Sequence, residues 1–347
     1  MSNTITEILL SDRQSNQQVD ALLQQEGIRR DGNLDYTCGI FDDDWNLVAT
    51  GSCFHNTIRC LAVSSNHQGE GLLNQVLSHL VDVQMTRGNS HLFLYTKPES
   101  AKFMADLGFH EITRVPGVLV FMENRRGGFT RYCGSLLSKQ PTGQRIAGIV
   151  MNANPFTLGH LHLVEQAARE NDVVHLFILS EESGPIPFAI RKMLVEQGVC
   201  HLKNVICHAS GPYLISAATF PSYFLKDSDT AIRTQAELDL LVFGKLAEIL
   251  GIQRRYVGQE HSSNVTALYN EVMLRKLPAM GIDCIEIPRL ALGETIISAS
   301  TVRQSIHDGR LEDIKLWVPD STYEFFRSEQ GQAVCAAIQR ETNVIHY

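Results

Sequence analysis

The sequence predicts an α/β protein in two parts, on three observations. From Arg145 onward, short apolar strands alternate with helix-length amphipathic segments, the pattern of a parallel sheet covered on both faces. Ahead of residue 124, strands and helices are mixed without that rhythm. Between them lies NRRGGFTRYCGSLLSKQPTGQR, Asn124 to Arg145, rich in Gly, Arg and Ser and closing on the turn-forming KQPTGQ. At 347 residues the chain also exceeds what one typical core holds, which suggests two domains or one large one. We expect a first domain over residues 1–135, a linker over 136–144 and a second domain over 145–347.

In the first part, YTCGIF and NLVATGSCF flank DDDWN and read as a hairpin. TIRCLAV reads as a further strand. EGLLNQVLSHLVDVQMTRG spaces its leucines and valines at helical intervals and ends at Gly88. HLFLYT is a strand, ESAKFMADLG a short helix and GVLVFME a strand. The second part opens with the strand RIAGIVM and the helix LHLVEQAAREN. VVHLFIL then precedes the helix PFAIRKMLVEQGV, and NVICHA precedes the long helix RTQAELDLLVFGKLAEILG. RRYVG leads into the helix NVTALYNEVMLRKLPAMG, and DCIEIPR is the last strand. In such sheets ligands bind at the carboxyl ends of the strands.

Composition removes several function classes. The hydrophobic fraction of 44% and charged fraction of 20% are ordinary for a globular protein. A net charge of −8 argues against a general nucleic-acid or membrane-surface binder. The eight cysteines include no C-x-x-C pair and no zinc-like cluster, so we expect reduced thiols and no protein-held metal. MSNTITEILLSDRQSNQQ lacks a basic segment followed by a long apolar one and is not a signal peptide. No stretch reaches the roughly 18 apolar residues that a membrane helix needs. A cytoplasmic location is expected.

The candidate chemistry begins at VMNANPFTLGHLHLVEQA, Val150 to Ala167. Here a first parallel strand hands over to a helix near Gly159. A helix start offers free N–H groups and partial positive charge, which suit a phosphate. Gly159 would allow close approach to the backbone. Thr157 and His160 lie within one turn and can both reach one phosphate. The plain alternative is that Thr157 and His160 merely cap the helix. His162 points elsewhere and reads as a partly buried helix residue.

GETIISASTVRQSIHDG, Gly293 to Gly309, carries a second such start. Ser298 or Ser300 can cap the helix that contains Val302 and Ile306. Arg303 sits near its N-terminus, where a cation is unfavourable unless an anion docks there. In PFAIRKM, Arg191 and Lys192 are further cationic candidates, with solvated helix charges as the alternative. YVGQE ends a late strand, where Gly258 could admit a base or form an ordinary turn.

These two stretches resemble a known pair. NPFTLGH is similar to the H/T-x-G-H motif of the nucleotidyltransferase superfamily, and ISASTVR to its I-S-x-S-x-x-R/K partner. The superfamily splits a nucleoside triphosphate at the α-phosphate on a Rossmann-like domain. By resemblance, Thr157, His160 and Arg303 are catalytic, with Ser298, Ser300 and Arg303 holding the β- and γ-phosphates. Asn154, Phe156, Gly159, Arg191, Gly258 and Thr301 complete the expected ATP contacts. Charge neutralisation and positioning dominate such chemistry. His160 and Arg303 would supply charge, and Mg²⁺ would bridge the phosphates.

In the first part, NHQGEGLLNQVLSHL resembles the Q/R-x-x-G-x-G/A pyrophosphate loop of GNAT acyltransferases. ESAKFMADLGFHEI is similar to the late helix and strand of that fold. The resemblance assigns Gln68, Gly69 and Gly71 to a coenzyme-A-like arm. Leu73 departs from the motif, which has Gly or Ala at that position. No general base is evident: Glu70 lies in the loop, and His55 and His67 stand alone.

A GNAT-like domain followed by a nucleotidyltransferase domain resembles the [citrate (pro-3S)-lyase] ligase family. SAATFPSYFLKD (Ser216 to Asp227) and VTALYNEVM (Val265 to Met273) add to the likeness, which spans nearly the whole chain. It implies an ATP-dependent acid–thiol ligase acting with acetate. Its partner is the citrate lyase acyl carrier subunit, which bears a dephospho-coenzyme-A-derived prosthetic group. Three other readings share some of these features. They are an adenylyltransferase with a phosphate acceptor, a GNAT acetyltransferase with a degenerate nucleotide domain, and a nucleotide-sensing partner of a larger complex.

Overall fold

The computed structural model describes residues 4–137, 143–182, 184–214, 220, 228–259, 264–293, 295–342 and 344. The chain divides into two compact units, Met1–Arg131 with Pro221–Leu238 and Tyr132–Phe220 with Asp239–Tyr347. No helix among the described residues is long and apolar enough to cross a membrane. All eight cysteines are free thiols.

The first unit is built on strands β1 (Ile5–Glu7), β2 (Tyr36–Phe41), β3 (Leu47–Phe54), β4 (Thr57–Val63), β5 (Phe93–Thr96), β6 (His110–Val115) and β7 (Leu119–Glu123). They form one sheet in the order β1-β2-β3-β4-β5-β7-β6. The β2–β3 turn closes because the Asp42 carboxylate accepts from the Asp44 and Asn46 amides, at 2.9 and 2.8 Å. Every pairing is antiparallel except β4 with β5. That parallel pairing covers only Thr57–Phe93 and Ile58–Leu94, so the two strands part toward their carboxyl ends. Helix α2 (Leu72–Thr86) joins them and lies against the sheet. Gly51 makes this possible, since a Cβ there would come within 2.8 Å of the Val76 and Leu80 side chains. This mixed sheet with one splayed parallel pair is the GNAT-like arrangement expected for this half.

The remaining helices of this unit are α1 (Arg13–Gln25) and α3 (Ala101–Asp106), and α4 (Gly128–Leu137) begins in it and continues into the second unit from Tyr132. Helix α4 corrects the reading of Asn124 to Arg145 as turn-forming, over Gly128–Leu137; residues 138–142 of the expected linker lie outside the described residues. Phe129, Cys133 and Leu136 are buried at helical spacing, an apolar face that outweighs the local glycines.

The second unit is a five-stranded parallel sheet. Its strands are β8 (Ile146–Met151), β9 (Val173–Ile178), β10 (Val205–Ala209), β11 (Arg254–Gly258) and β12 (Asp283–Ile287), in the order β10-β9-β8-β11-β12. Connecting helices are α5 (Leu158–Glu170), α6 (Phe188–Gly198), α7 (Ser228–Leu250), which belongs to this unit from Asp239 on, and α8 (Asn264–Lys276). The chain starts at the centre, winds outward through β9 and β10, and returns to add β11 on the other side of β8. The crevice outside the carboxyl ends of β8 and β11 is therefore the topological switch point, where Rossmann-like sheets take their ligands. The two-residue strands β13 (Ala291–Leu292) and β14 (Thr295–Ile296) pair with each other. Helices α9 (Ala299–His307), α10 (Asp320–Arg327) and α11 (Glu329–Arg340) complete the chain.

The strand cores are apolar throughout, with Ala147, Ile149, Val174, Leu176, Phe177 and Ile178 fully buried. Two polar exceptions stand inside. His175 and His208 share a hydrogen bond of 2.8 Å between β9 and β10. Arg255 pairs with Asp239 at 3.3 Å and lies over the Phe243 ring at 4.3 Å.

Candidate functional site

The loop from β8 to α5 is held by arginines on both sides. Arg191, fully buried, donates to the carbonyls of Ile186, Asn152, Leu179 and Glu181 and to the Asn152 side chain, at 2.5 to 3.2 Å. Arg303, also buried, donates from Nε to the Val344 carbonyl at 2.7 Å and from Nη1 to the Asn154 carbonyl. Between the two anchored asparagines, Ala153 adopts a φ of +51°, a conformation that costs a non-glycine residue free energy unless its surroundings enforce it.

Helix α5 then begins at Thr157, whose hydroxyl accepts from the His160 amide at 3.3 Å. In return the Thr157 amide donates to His160 Nδ1 at 3.1 Å, with the hydroxyl 2.9 Å from the same nitrogen. This is a capping box in which a histidine takes the usual place of Glu or Gln. Because Nδ1 accepts, the proton of the neutral ring sits on Nε2, which becomes a donor. Burial holds the His160 ring well below its ordinary basicity, to about 4, with Arg289 and then Arg303 adding to the effect. His160 is therefore a neutral donor at pH 7, which corrects the expectation that it supplies positive charge. Phe156 stacks on the ring at 5.8 Å and 14°.

Helix α9 begins at Ser298. Its hydroxyl accepts from the Thr301 amide at 3.1 Å and lies 2.9 and 2.7 Å from the Ser300 and Thr301 hydroxyls. The two helix starts meet: a Cβ on Gly159 would stand 3.2 Å from the Ile297 carbonyl oxygen. A side chain at this position would therefore crowd the second motif's own backbone. In the first turn of α5, Leu158 N–H bonds the Trp317 carbonyl at 2.8 Å and His160 N–H the Thr157 hydroxyl. The Gly159 amide, and in α9 the Ala299 and Ser300 amides, have no partner among the described residues.

The geometry sorts the sequence candidates. His160, Gly159, Ser298, Ser300, Thr301 and Arg303 come together. Thr157 is buried and works through His160. Phe156 and Asn154 are buried, Phe156 against Gly198 and His160. Arg191 is not a solvated charge: it is buried, and its donors serve backbone carbonyls and the Asn152 side chain. Lys192 pairs with Glu196 at 2.6 Å. His162 is half-buried on α5. Gly258 is exposed at the end of β11 with open space around its Cα. Glu260, Glu294 and most of SAATFPSYFLKD lie outside the described residues. Sequence reading overlooked Arg289, two residues beyond β12, whose Nε donates to the Gln259 carbonyl at 2.7 Å. A cation just past a strand's carboxyl end was the available signal.

The model of the citrate lyase ligase C-terminal domain matches residues 146–326, from β8 through most of α10. The [citrate [pro-3S]-lyase] ligase of Haemophilus influenzae is 36% identical over 315 residues, covering 89% of this chain and 94% of that protein. That of Escherichia coli is 35% identical over 347 residues, covering 98% of each. The chain belongs to the citrate lyase ligase family. It is an enzyme, and its likeness to these ligases takes in both units. Among solved structures, the E. coli ribosomal-protein-S18-alanine N-acetyltransferase is 19% identical, covering 35% of this chain and 92% of that one, with a TM-score of 0.29. E. coli ElaA is 16% identical, covering 35% and 99%, with a TM-score of 0.31.

The first unit of this ligase-family chain has its own feature at the loop between β4 and α2. Gly69 and Gly71 have φ of +90° and +75°, and a Cβ on either would meet nothing within 4 Å. Gly71 caps α2 without a side-chain bond, leaving the helix start open. Gln68, Gly69 and Gly71 are exposed. Leu73, the departure from the GNAT motif, packs against the sheet's core, so its bulk turns inward. His67 and Glu70 pair at 3.3 Å on the loop surface.

Proposed function

We propose that the chain is an ATP-dependent acid–thiol ligase. It activates acetate as acetyl-adenylate and acetylates the prosthetic-group thiol of the citrate lyase acyl carrier subunit. The observation that carries this reading is the meeting of two helix N-termini at the switch point. There the Gly159, Ala299 and Ser300 amides, the serine and threonine hydroxyls and His160 gather beside Arg303. Such a set suits a polyphosphate. Family membership along both units supports the acceptor.

An acetate oxygen attacks the α-phosphorus while the bond to the β-phosphate oxygen breaks, and diphosphate departs. The thiol sulfur then attacks the acetyl carbon, AMP leaves, and the thiol proton passes to solvent. In the first step Nε2–H of His160 donates to charge developing on phosphate oxygens. Arg303 supports it electrostatically from within the protein, anchored on carbonyls. Thr157 fixes the histidine's orientation. Ser298, Ser300 and Thr301 hold the β- and γ-phosphates with the α9 amides, and Gly258 leaves room for the base. Among the described residues no three His, Cys, Asp or Glu side chains gather to hold a metal. The donors at the site suit anions, so Mg²⁺ would arrive on the triphosphate. The open Gly69–Gly71 loop of the first unit would receive the pyrophosphate of the dephospho-coenzyme-A-derived arm. We take residues 1–135 as the arm-binding domain and 145–347 as the adenylating domain.

The test is ATP–diphosphate exchange with the full chain. Exchange that depends on acetate supports the reading. Exchange that ignores acetate but depends on a phosphate-bearing acceptor would replace it with an adenylyltransferase.

A further inference from the structure

Resting on the nucleotide site proposed above, we propose that Arg289 is a phosphate-binding residue of that site, holding the diphosphate portion of the nucleotide against the two helix N-termini. One side-chain and two backbone hydrogen bonds place it there. Its Nε donates to the Gln259 carbonyl at 2.7 Å, beside Gly258 at the carboxyl end of β11. The Gln259 amide in turn bonds the Ile287 carbonyl at 2.9 Å, joining the ends of β11 and β12. The next residue, Leu290, accepts from the Ile297 amide at 3.0 Å. Ile297 immediately precedes the α9 cap Ser298, and its carbonyl abuts Gly159 of α5. Arg289 thus stands where the base end of the crevice joins the phosphate end.

Its charge reaches His160. After burial, Arg289 is the larger of two cationic influences on that ring, ahead of Arg303. The three arginines of the region divide their work accordingly. Arg191 binds the β8–α5 loop, and Arg303 binds that loop and the Val344 carbonyl. Arg289 lies on the strand-end rim, in electrostatic reach of the donor His160. A guanidinium suits the task because its fork binds two phosphate oxygens at once.

The test measures inorganic diphosphate binding to the full chain by calorimetry, together with acetate-dependent exchange. Arg289→Gln should weaken diphosphate binding at least about tenfold and slow exchange by about 100-fold, the scale of losing one charge-stabilising donor. Arg289→Lys keeps the charge without the fork and should fall between. Acetate KM should stay unchanged. Wild-type diphosphate binding by both variants would overturn the inference. If the Gln variant fails to fold, the Lys variant alone decides, by weakened or wild-type binding. His160→Ala separates the two proposals. If it abolishes exchange while the Arg289 variants are normal, only the role of Arg289 falls; if it too is normal, the reading of the site falls.

Discussion

At His160, burial and two arginines all act against a second ring proton. The chemistry follows from that: a neutral imidazole donates from Nε2 and keeps doing so as pH falls, until about 4. His160→Ala should lower exchange by about 100-fold or more in a folded protein, the scale of removing one transition-state donor. Wild-type kcat/KM should show no acid limb from this histidine between pH 5 and 7. Such a limb, present in wild type and lost in a folded His160→Gln variant, would contradict the neutral-donor assignment. Thr157→Val removes the cap and the hydroxyl that holds the ring. It should cost about 1 kcal/mol of stability and still impair turnover, while Thr157→Ser should retain both. The Thr157–His160 pair was legible in the sequence because its three-residue spacing is local. The bond by which Thr157 fixes the His160 ring was not, because it exists only in the folded helix start. Arg303 was legible as a cation at a helix start; the Asn154 and Val344 carbonyls that receive it lie far away in sequence. Arg289 escaped notice for the same reason, as its relation to His160 exists only once β12 lies beside β11.

The β8–α5 loop is the element on which the site depends, and it is shaped from outside. Arg191 on α6 and Arg303 on α9 grip Asn152 and Asn154, with left-handed Ala153 between. Arg191→Met should therefore do more than remove a charge. It leaves four carbonyls, two of them buried, short of a donor, for a loss of about 3–5 kcal/mol and impaired exchange; chemical denaturation measures the first. A variant as stable as wild type would mean the loop holds its shape unaided. The sheet carries a second titrating element in His175, whose basicity burial lowers from 6.5 to about 4. The unfolded chain binds this proton near pH 6.5 and the folded chain only near 4. The unfolded state therefore gains protons first, and stability falls as pH drops through that window. Folded His175→Leu should show a shallower fall between pH 6.5 and 4 in urea unfolding, and an unchanged slope would refute it. Strand and helix alternation made this half readable, since buried parallel strands are continuous apolar runs. Helix α1 was not readable, because RQSNQQVDALLQQ hides three buried residues, Val19, Leu22 and Leu23, among glutamines and asparagines. Helix α4 was masked by its glycines, and its apolar face became evident only from burial. The C-terminal helices α10 and α11 pack on each other and on earlier helices, contacts that no local period reports.

For the molecule as a whole, the proposed reaction divides into two steps, and the chain into two units with one candidate phosphate cradle each. The adenylating step needs only the second unit's donors, whereas the thiol step needs a long pantetheine-like arm to be brought to the acetyl-adenylate. A cradle for that arm's pyrophosphate would serve the second step alone. The Gly69–Gly71 turn offers a selective way to separate them, because Gly71 has a φ of +75° and open space where a Cβ would stand. Gly71→Val there meets no clash, but a β-branched residue resists the left-handed conformation. It should therefore shift the backbone amides at the start of α2, with the core positions Val76 and Leu80 left in place. The expected outcome is an uncoupling. Acetate-dependent ATP–diphosphate exchange stays near wild type, while KM for the acyl carrier thiol rises about tenfold, equivalent to ~1.4 kcal/mol of lost binding. Equal losses in both assays would mean that the substitution damages the whole chain, and unchanged thiol transfer would leave the first unit no part in holding the arm. Dephospho-coenzyme A, added as a competitor, gives an independent measure. It should inhibit thiol transfer by the wild-type chain without slowing exchange, and should inhibit the Gly71→Val chain less.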